Sequence, residues 1–144
     1  MFRDFIGLVA GVFAMSIVYT LLAILESRLF PIPVGLDPHS PAGAAAVLAT
    51  LPLVAKVMMS AGWCASAFVG SAVAARIAER RLIIAAIIGL LMMSGTWFTI
   101  PKTIYPQWMI LTGTLLPLPL AWLATRIVPG YTPAPDTGER WRGP

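Results

Sequence analysis

The chain has little charge and almost no thiol or imidazole. Of its 144 residues, 11% are charged and 58% hydrophobic, and it has one cysteine and one histidine. Soluble domains carry about 25% charged and about 45–50% apolar residues. That sets aside a water-soluble globular enzyme, a nucleic-acid binder, a disordered tail and a disulfide scaffold. Cys64 alone cannot close an internal disulfide, and no second thiol or histidine stands near it, so an inert buried thiol is expected. There is no H-E-x-x-H, no G-x-S-x-G and no phosphate-binding loop. His39 with Asp37 and Glu26 is a poor ligand set. No metal, cofactor or catalytic residue is therefore expected, and the chain reads as non-enzymatic. Sustained apolar–polar alternation is also missing, which argues against a β-barrel.

What the chain has is uncharged length. Runs 5–25, 57–75, 82–100 and 103–125 contain no Asp, Glu, Lys or Arg. At about 1.5 Å per residue, about 20 residues cross the roughly 30 Å hydrocarbon core. Backbone groups in lipid must bond within their own segment, so each run should be a helix. The expected fold is all-α: a four-helix transmembrane bundle with spans at about 5–26, 51–77, 82–100 and 106–128. Residues 1–130 then form the membrane domain and 131–144 a mobile cytoplasmic tail. The first run is longer than the apolar core of a secretory signal and ends at Leu25-Glu26-Ser27-Arg28, so it reads as a retained span.

Between Ala42 and Ala75 the one charge is Lys56. A single helix over that stretch would be too long for one crossing, and Pro52 divides it. Ser40-Pro41 reads as a cap and first-turn pair opening a short external interfacial helix at 41–49. Thr50 is expected to cap the second span. With both termini inside, Arg3, Arg76, Arg80, Arg81, Arg126, Arg140 and Arg142 are cytoplasmic, against Arg28 and Lys102 outside. That is the positive-inside bias.

Small residues recur every fourth position in the second span: Gly62, Ser66, Gly70, Ala74 and Ala78, with a parallel row at Ala67, Ser71 and Ala75. The first span offers Gly7 and Gly11, the third Ala85 and Gly89. Such stripes let helix backbones approach closely, within one chain or between two copies. Polar and bulky residues gather at the opposite, external end: Tyr19 and Glu26, Lys56, Ser60 and Trp63, Trp97, Trp108. Two readings stand for them. They line an outward-facing vestibule, or the hydroxyls bond back to their own helices while the aromatics form an interfacial belt. Lys56 either snorkels to the interface or pairs with Glu26. Pro117 and Pro119 should kink or break the fourth span.

Glu26, Phe30-Pro31-Ile32-Pro33-Val34-Gly35-Leu36-Asp37, Leu51-Pro52, Gly70 with Ala74-Ala75-Arg76-Ile77-Ala78, Ile100-Pro101 and Tyr105-Pro106-Gln107-Trp108 together resemble a small four-span bacterial inner-membrane family of unassigned function. That family's second proline motif often reads Pro-His-Pro-Trp, and Tyr105 stands here in the histidine's place. The resemblance implies four helices in a bacterial inner membrane and no mechanism. The expected role is structural or binding. The chain would pack with itself or with a larger membrane complex, contact membrane lipids, and take a lipid or small apolar ligand in the vestibule. The alternative is a small dimeric transporter or channel component using Glu26 and Lys56. Small multidrug transporters are also four-span, but they need a glutamate in the middle of the first span, whereas Glu26 lies at its end.

Overall fold

The computed structural model describes every residue except 34, 38–39, 100–104 and 131–144. The expectations for His39, Lys102, the Ile100-Pro101 motif and the 131–144 tail lie outside the described residues. The described chain is helical: α1 Phe2–Leu29, α2 Pro41–Thr50, α3 Leu53–Ile77, α4 Arg81–Thr99, α5 Gln107–Leu115 and α6 Pro117–Ile127. α1, α3, α4 and the α5–α6 pair are each long and apolar enough to cross a membrane. The fold is an all-α four-helix transmembrane bundle, and the protein is multi-pass.

Local chemistry sets the boundaries. Ser40 caps α2, its hydroxyl accepting the Gly43 N–H at 3.0 Å, and Pro41 fills the first turn. Thr50 does not cap the second span. It ends α2 and donates to the Val47 carbonyl at 2.7 Å, while Pro52 is the N-cap of α3. Proline brings no N–H and a fixed φ, which suits a helix start. The fourth span breaks at Leu116, with Pro117 opening α6. Without their N–H groups, Pro117 and Pro119 cannot bond back to the carbonyls of Gly113 and Leu115 four residues earlier. The break is packed rather than open, because Pro117 is fully buried.

α3 is the centre of the bundle. It packs on α1, α4, α5 and α6, and its antiparallel contact with α1 is the largest in the molecule. The small-residue stripe makes that contact possible. Ser66, Ala74 and Ala78 are buried, as are Gly62 and Gly70. Opposite them on α1, Gly7 and Gly11 are the buried residues. A Cβ placed on Gly11 would stand 2.8 Å from the Ala74 Cβ and 2.8 Å from the Gly70 carbonyl oxygen. The backbones therefore meet with almost nothing between them. The parallel row Ala67, Ser71 and Ala75 is fully buried too. The Ser71 hydroxyl faces α4, 3.4 Å from the Ala85 carbonyl. Gly89 of α4 meets Ala121 and the Pro117 carbonyl of α6 in the same manner. Both rows on α3, and the glycine of α4, are thus engaged within one chain.

Charge closes the end where this packing is tightest. The Asp4 carboxylate accepts the backbone N–H groups of Glu79 and Arg80, both at 3.0 Å, at the entrance to α4. A carboxylate there satisfies orphan donors and faces the positive end of the helix dipole. Arg81 does the converse for α6. Its guanidinium donates to the carbonyls of Thr125 and Val128, the latter at 2.8 Å, at the negative end of that helix. Arg126 lies over the Trp122 ring, 4.9 Å from its centroid. Outward from the narrow end, α1 exposes Phe5, Phe13, Ile17 and Leu21. These are the side chains expected to meet lipid.

Candidate functional site

Along the α1–α3 seam the residues grow from one end to the other. Gly7 and Gly11 give way to Met15, Tyr19, Leu22 and Glu26 on α1. Ala78 and Ala74 give way to Trp63 and Met59 on α3. At Gly62 a Cβ would meet its nearest α1 atoms at 3.5 Å or more, whereas at Gly70 it would meet α1 at 2.7 Å and at Gly11 it would meet α3 at 2.8 Å. The helices therefore diverge towards the end where α1 finishes and α3 begins. Two cavities open there.

The first, about 220 Å³, lies between the last turns of α1, the end of α2 and the start of α3. Tyr19, Glu26 and Phe30 wall it on one side, Met59 and Trp63 on the other, and Val47 and Leu51 cover it. The second, about 430 Å³, lies between α1 and α4, with Thr20, Met92, Thr96 and Tyr105 around it. Tyr19 and Trp63 belong to both cavities and form the partition. Trp63 is buried, and its indole rests on Gly113 of α5, where a Cβ would stand 2.8 Å from the ring. Tyr105 packs against the same indole, ring centroids 6.2 Å apart and tilted by 56°. Burial raises the Tyr105 phenol above its ordinary pKa, and the neighbouring Tyr19 adds to the rise.

Glu26 is half-buried, and its carboxylate reaches over Gly62, with Oε1 3.5 Å from where a Cβ would be. Gly62 thus belongs to the small-residue stripe and also makes room for the acid. Among the described residues, no ion pair or hydrogen bond to the Glu26 side chain forms. A shallower groove of about 190 Å³, lined by Leu25, Ala61 and Ala65, runs along the outer surface of the α1–α3 seam. It shares Glu26 and Gly62 with the first cavity.

The site residues expected from sequence divide here. Tyr19, Glu26 and Trp63 converge on the first cavity. Lys56, Ser60, Trp97 and Trp108 do not line either cavity. Lys56 makes no ion pair with Glu26, so of its two readings the pairing does not form. Lys56 follows Ala55 directly and precedes Met59 by three residues, but unlike those two it does not line the cavity. The Ser60 hydroxyl donates to the Lys56 carbonyl at 3.1 Å. The same back-bonding holds for Ser16, Ser66, Thr96 and Thr114. Polar residues at the wide end are thus largely self-satisfied, and the cavity walls are mainly apolar. Trp97 and Trp108 are exposed on the outer surface. Cys64 is half-buried and stands apart from both cavities. Among the described residues, no cluster of three or more His, Cys, Asp or Glu forms. Phe30, Val47, Leu51 and Tyr105 are cavity residues that apolar patterning did not distinguish from ordinary packing. No protein-family model, curated protein or solved structure matches the chain.

Proposed function

We propose that the chain is a non-enzymatic protein of a bacterial inner membrane that binds a lipid or small apolar ligand in the cavities at the wide end of its bundle. The observation that carries this reading is the pair of adjoining, mainly apolar cavities partitioned by Tyr19 and Trp63. Ligand sites are typically concave and apolar with a few placed polar groups, often between helices of a bundle. The first cavity fits that description, with Glu26 as the one charged residue among its described walls. No base or activated nucleophile stands beside that carboxylate among the described residues, which favours binding over catalysis.

Orientation follows the basic residues. Arg3, Arg76, Arg80, Arg81 and Arg126 lie at the narrow end, which is therefore read as cytoplasmic together with both termini. The cavities then face outward, within reach of the outer leaflet. The transporter alternative loses its expected coupling pair, because Lys56 does not meet Glu26. Assembly into a larger membrane complex would use the lipid-facing surface of α1, since the small-residue stripe of α3 is already engaged.

Native mass spectrometry of the full chain, purified with its membrane lipid, tests the reading. A retained lipid or apolar adduct is expected. It should be lost in Met59→Trp, which fills the first cavity, and kept in Val57→Trp, on the exposed face of α3. No adduct, or equal retention in both variants, would refute the assignment. The same spectra report stoichiometry.

A further inference from the structure

From the chemistry of the first cavity we infer that its ligand is an organic cation: an ammonium group carried on an apolar body, drawn from the bilayer. The inference rests on the proposed binding role and adds a charge to the ligand. Among the described walls Glu26 is the one charged residue, and no basic side chain occurs there. Its carboxylate has no ion-pair or hydrogen-bond partner among the described residues. A half-buried acid without a partner favours a ligand that brings a positive charge. Tyr19, Phe30 and Trp63 wall the same space. Aromatic faces attract alkylammonium groups, more strongly where water is displaced. Apolar surface predominates around the rest of the cavity and holds the body of the ligand.

The route in is lateral. The groove of Leu25, Ala61 and Ala65 opens on the outer surface of α1 and α3 and meets the cavity at Glu26 and Gly62. Glu26 lies in the last turn of α1, at the level where the headgroup of a membrane-dissolved amine sits while its apolar part stays in hydrocarbon. Both a free amphiphilic amine and an amine-bearing lipid headgroup carry this chemistry.

The test uses phenyltrimethylammonium and its uncharged isostere tert-butylbenzene, titrated into the full chain in maltoside micelles at about pH 8, above the carboxylate range. Binding is read from Trp63 emission in a chain whose other tryptophans are replaced by Phe. Wild type is expected to prefer the cation by about tenfold or more. Glu26→Gln should lose that preference while still binding the isostere, which also shows that the variant is folded. If Glu26→Gln does not fold, Glu26→Asp takes its place and should keep the preference. Displacement of the probe by short-chain phosphatidylethanolamine but not phosphatidylglycerol would identify a lipid headgroup. Displacement by neither would identify a free amine. Equal affinity of wild type for cation and isostere overturns the inference and leaves an apolar binding site. Binding of neither overturns the cavity reading itself.

Discussion

Adding one methyl group at Gly70 or Gly11 tests the α1–α3 seam most directly. At Gly70 the new Cβ would stand 2.7 Å from the Met15 Cβ and 2.8 Å from the Gly11 carbonyl oxygen. Non-bonded carbon atoms sit comfortably at about 3.5–4.0 Å, so the helices must part by about 0.8 Å or more. Backbone cannot swing aside as a side-chain tip can. A gap of that size forfeits a quarter to a half of the dispersion energy of each contact along the seam. Overpacking of this kind costs about 1–3 kcal/mol. The control is Gly95→Ala, where a Cβ meets nothing within 4 Å. That change should be neutral or slightly stabilising, since alanine is the better helix former. The assay is reversible unfolding in mixed micelles titrated with sodium dodecyl sulfate and followed by far-ultraviolet circular dichroism. Gly11→Ala and Gly70→Ala should unfold at lower mole fractions of the denaturing detergent, and Gly95→Ala should match the parent. The shifts should not depend on protein concentration, because the seam lies within one chain. Equal behaviour of all three variants would refute the tight seam. A shift that grows on dilution would place the stripe between copies instead.

A reporter active only in the cytoplasm should be active when fused after Pro144 and silent when inserted at Asp37, and the reverse would overturn the orientation. Asp4→Asn should weaken the cap on α4, read as faster amide exchange at Glu79 and Arg80 with little change in the middle of α3. Glu26→Gln and Lys56→Met should have additive effects on stability, within about 0.5 kcal/mol, because the side chains are not paired. A larger coupling in the double-mutant cycle would put them in contact. Gly113→Ala should displace the Trp63 indole from its bed and change its emission, and an unaltered spectrum would show that the ring does not rest there.

The spans were legible because lipid imposes one strong rule. Uncharged runs of crossing length must be helices, and charged residues mark where they end. The stripe on α3 was legible for a related reason, since small residues at every fourth position have little other use in lipid. The cap at Ser40-Pro41 also announced itself. Thr50 misled because its hydroxyl suits either a cap or a back-bond, and Pro52, two residues on, already supplied a helix start. For Lys56 the sequence left two readings open, because similar depth does not by itself fix a contact with Glu26. Both lie near the same end, yet no ion pair forms between them among the described residues. Val47 and Leu51 carry no mark of a cavity wall, since the same residues serve as plain packing. Gly113 carries no mark in the sequence either, since its importance is the missing side chain beneath Trp63.

The seam between α1 and α3 also bears on how the protein is made. α1 leaves the ribosome before α3, and its glycine face has no partner until α3 follows. At about 5–20 residues per second, several seconds separate the emergence of Gly11 from that of Ala74. During that interval α1 stands in the bilayer as a lone apolar rod, inserted but unpacked. Asp4 likewise waits for the N–H groups of Glu79 and Arg80 before its carboxylate has them to accept. Insertion and assembly are therefore separate events in time for this chain. A nascent chain halted before α3 would already be a membrane protein, while lacking every contact that defines the finished one.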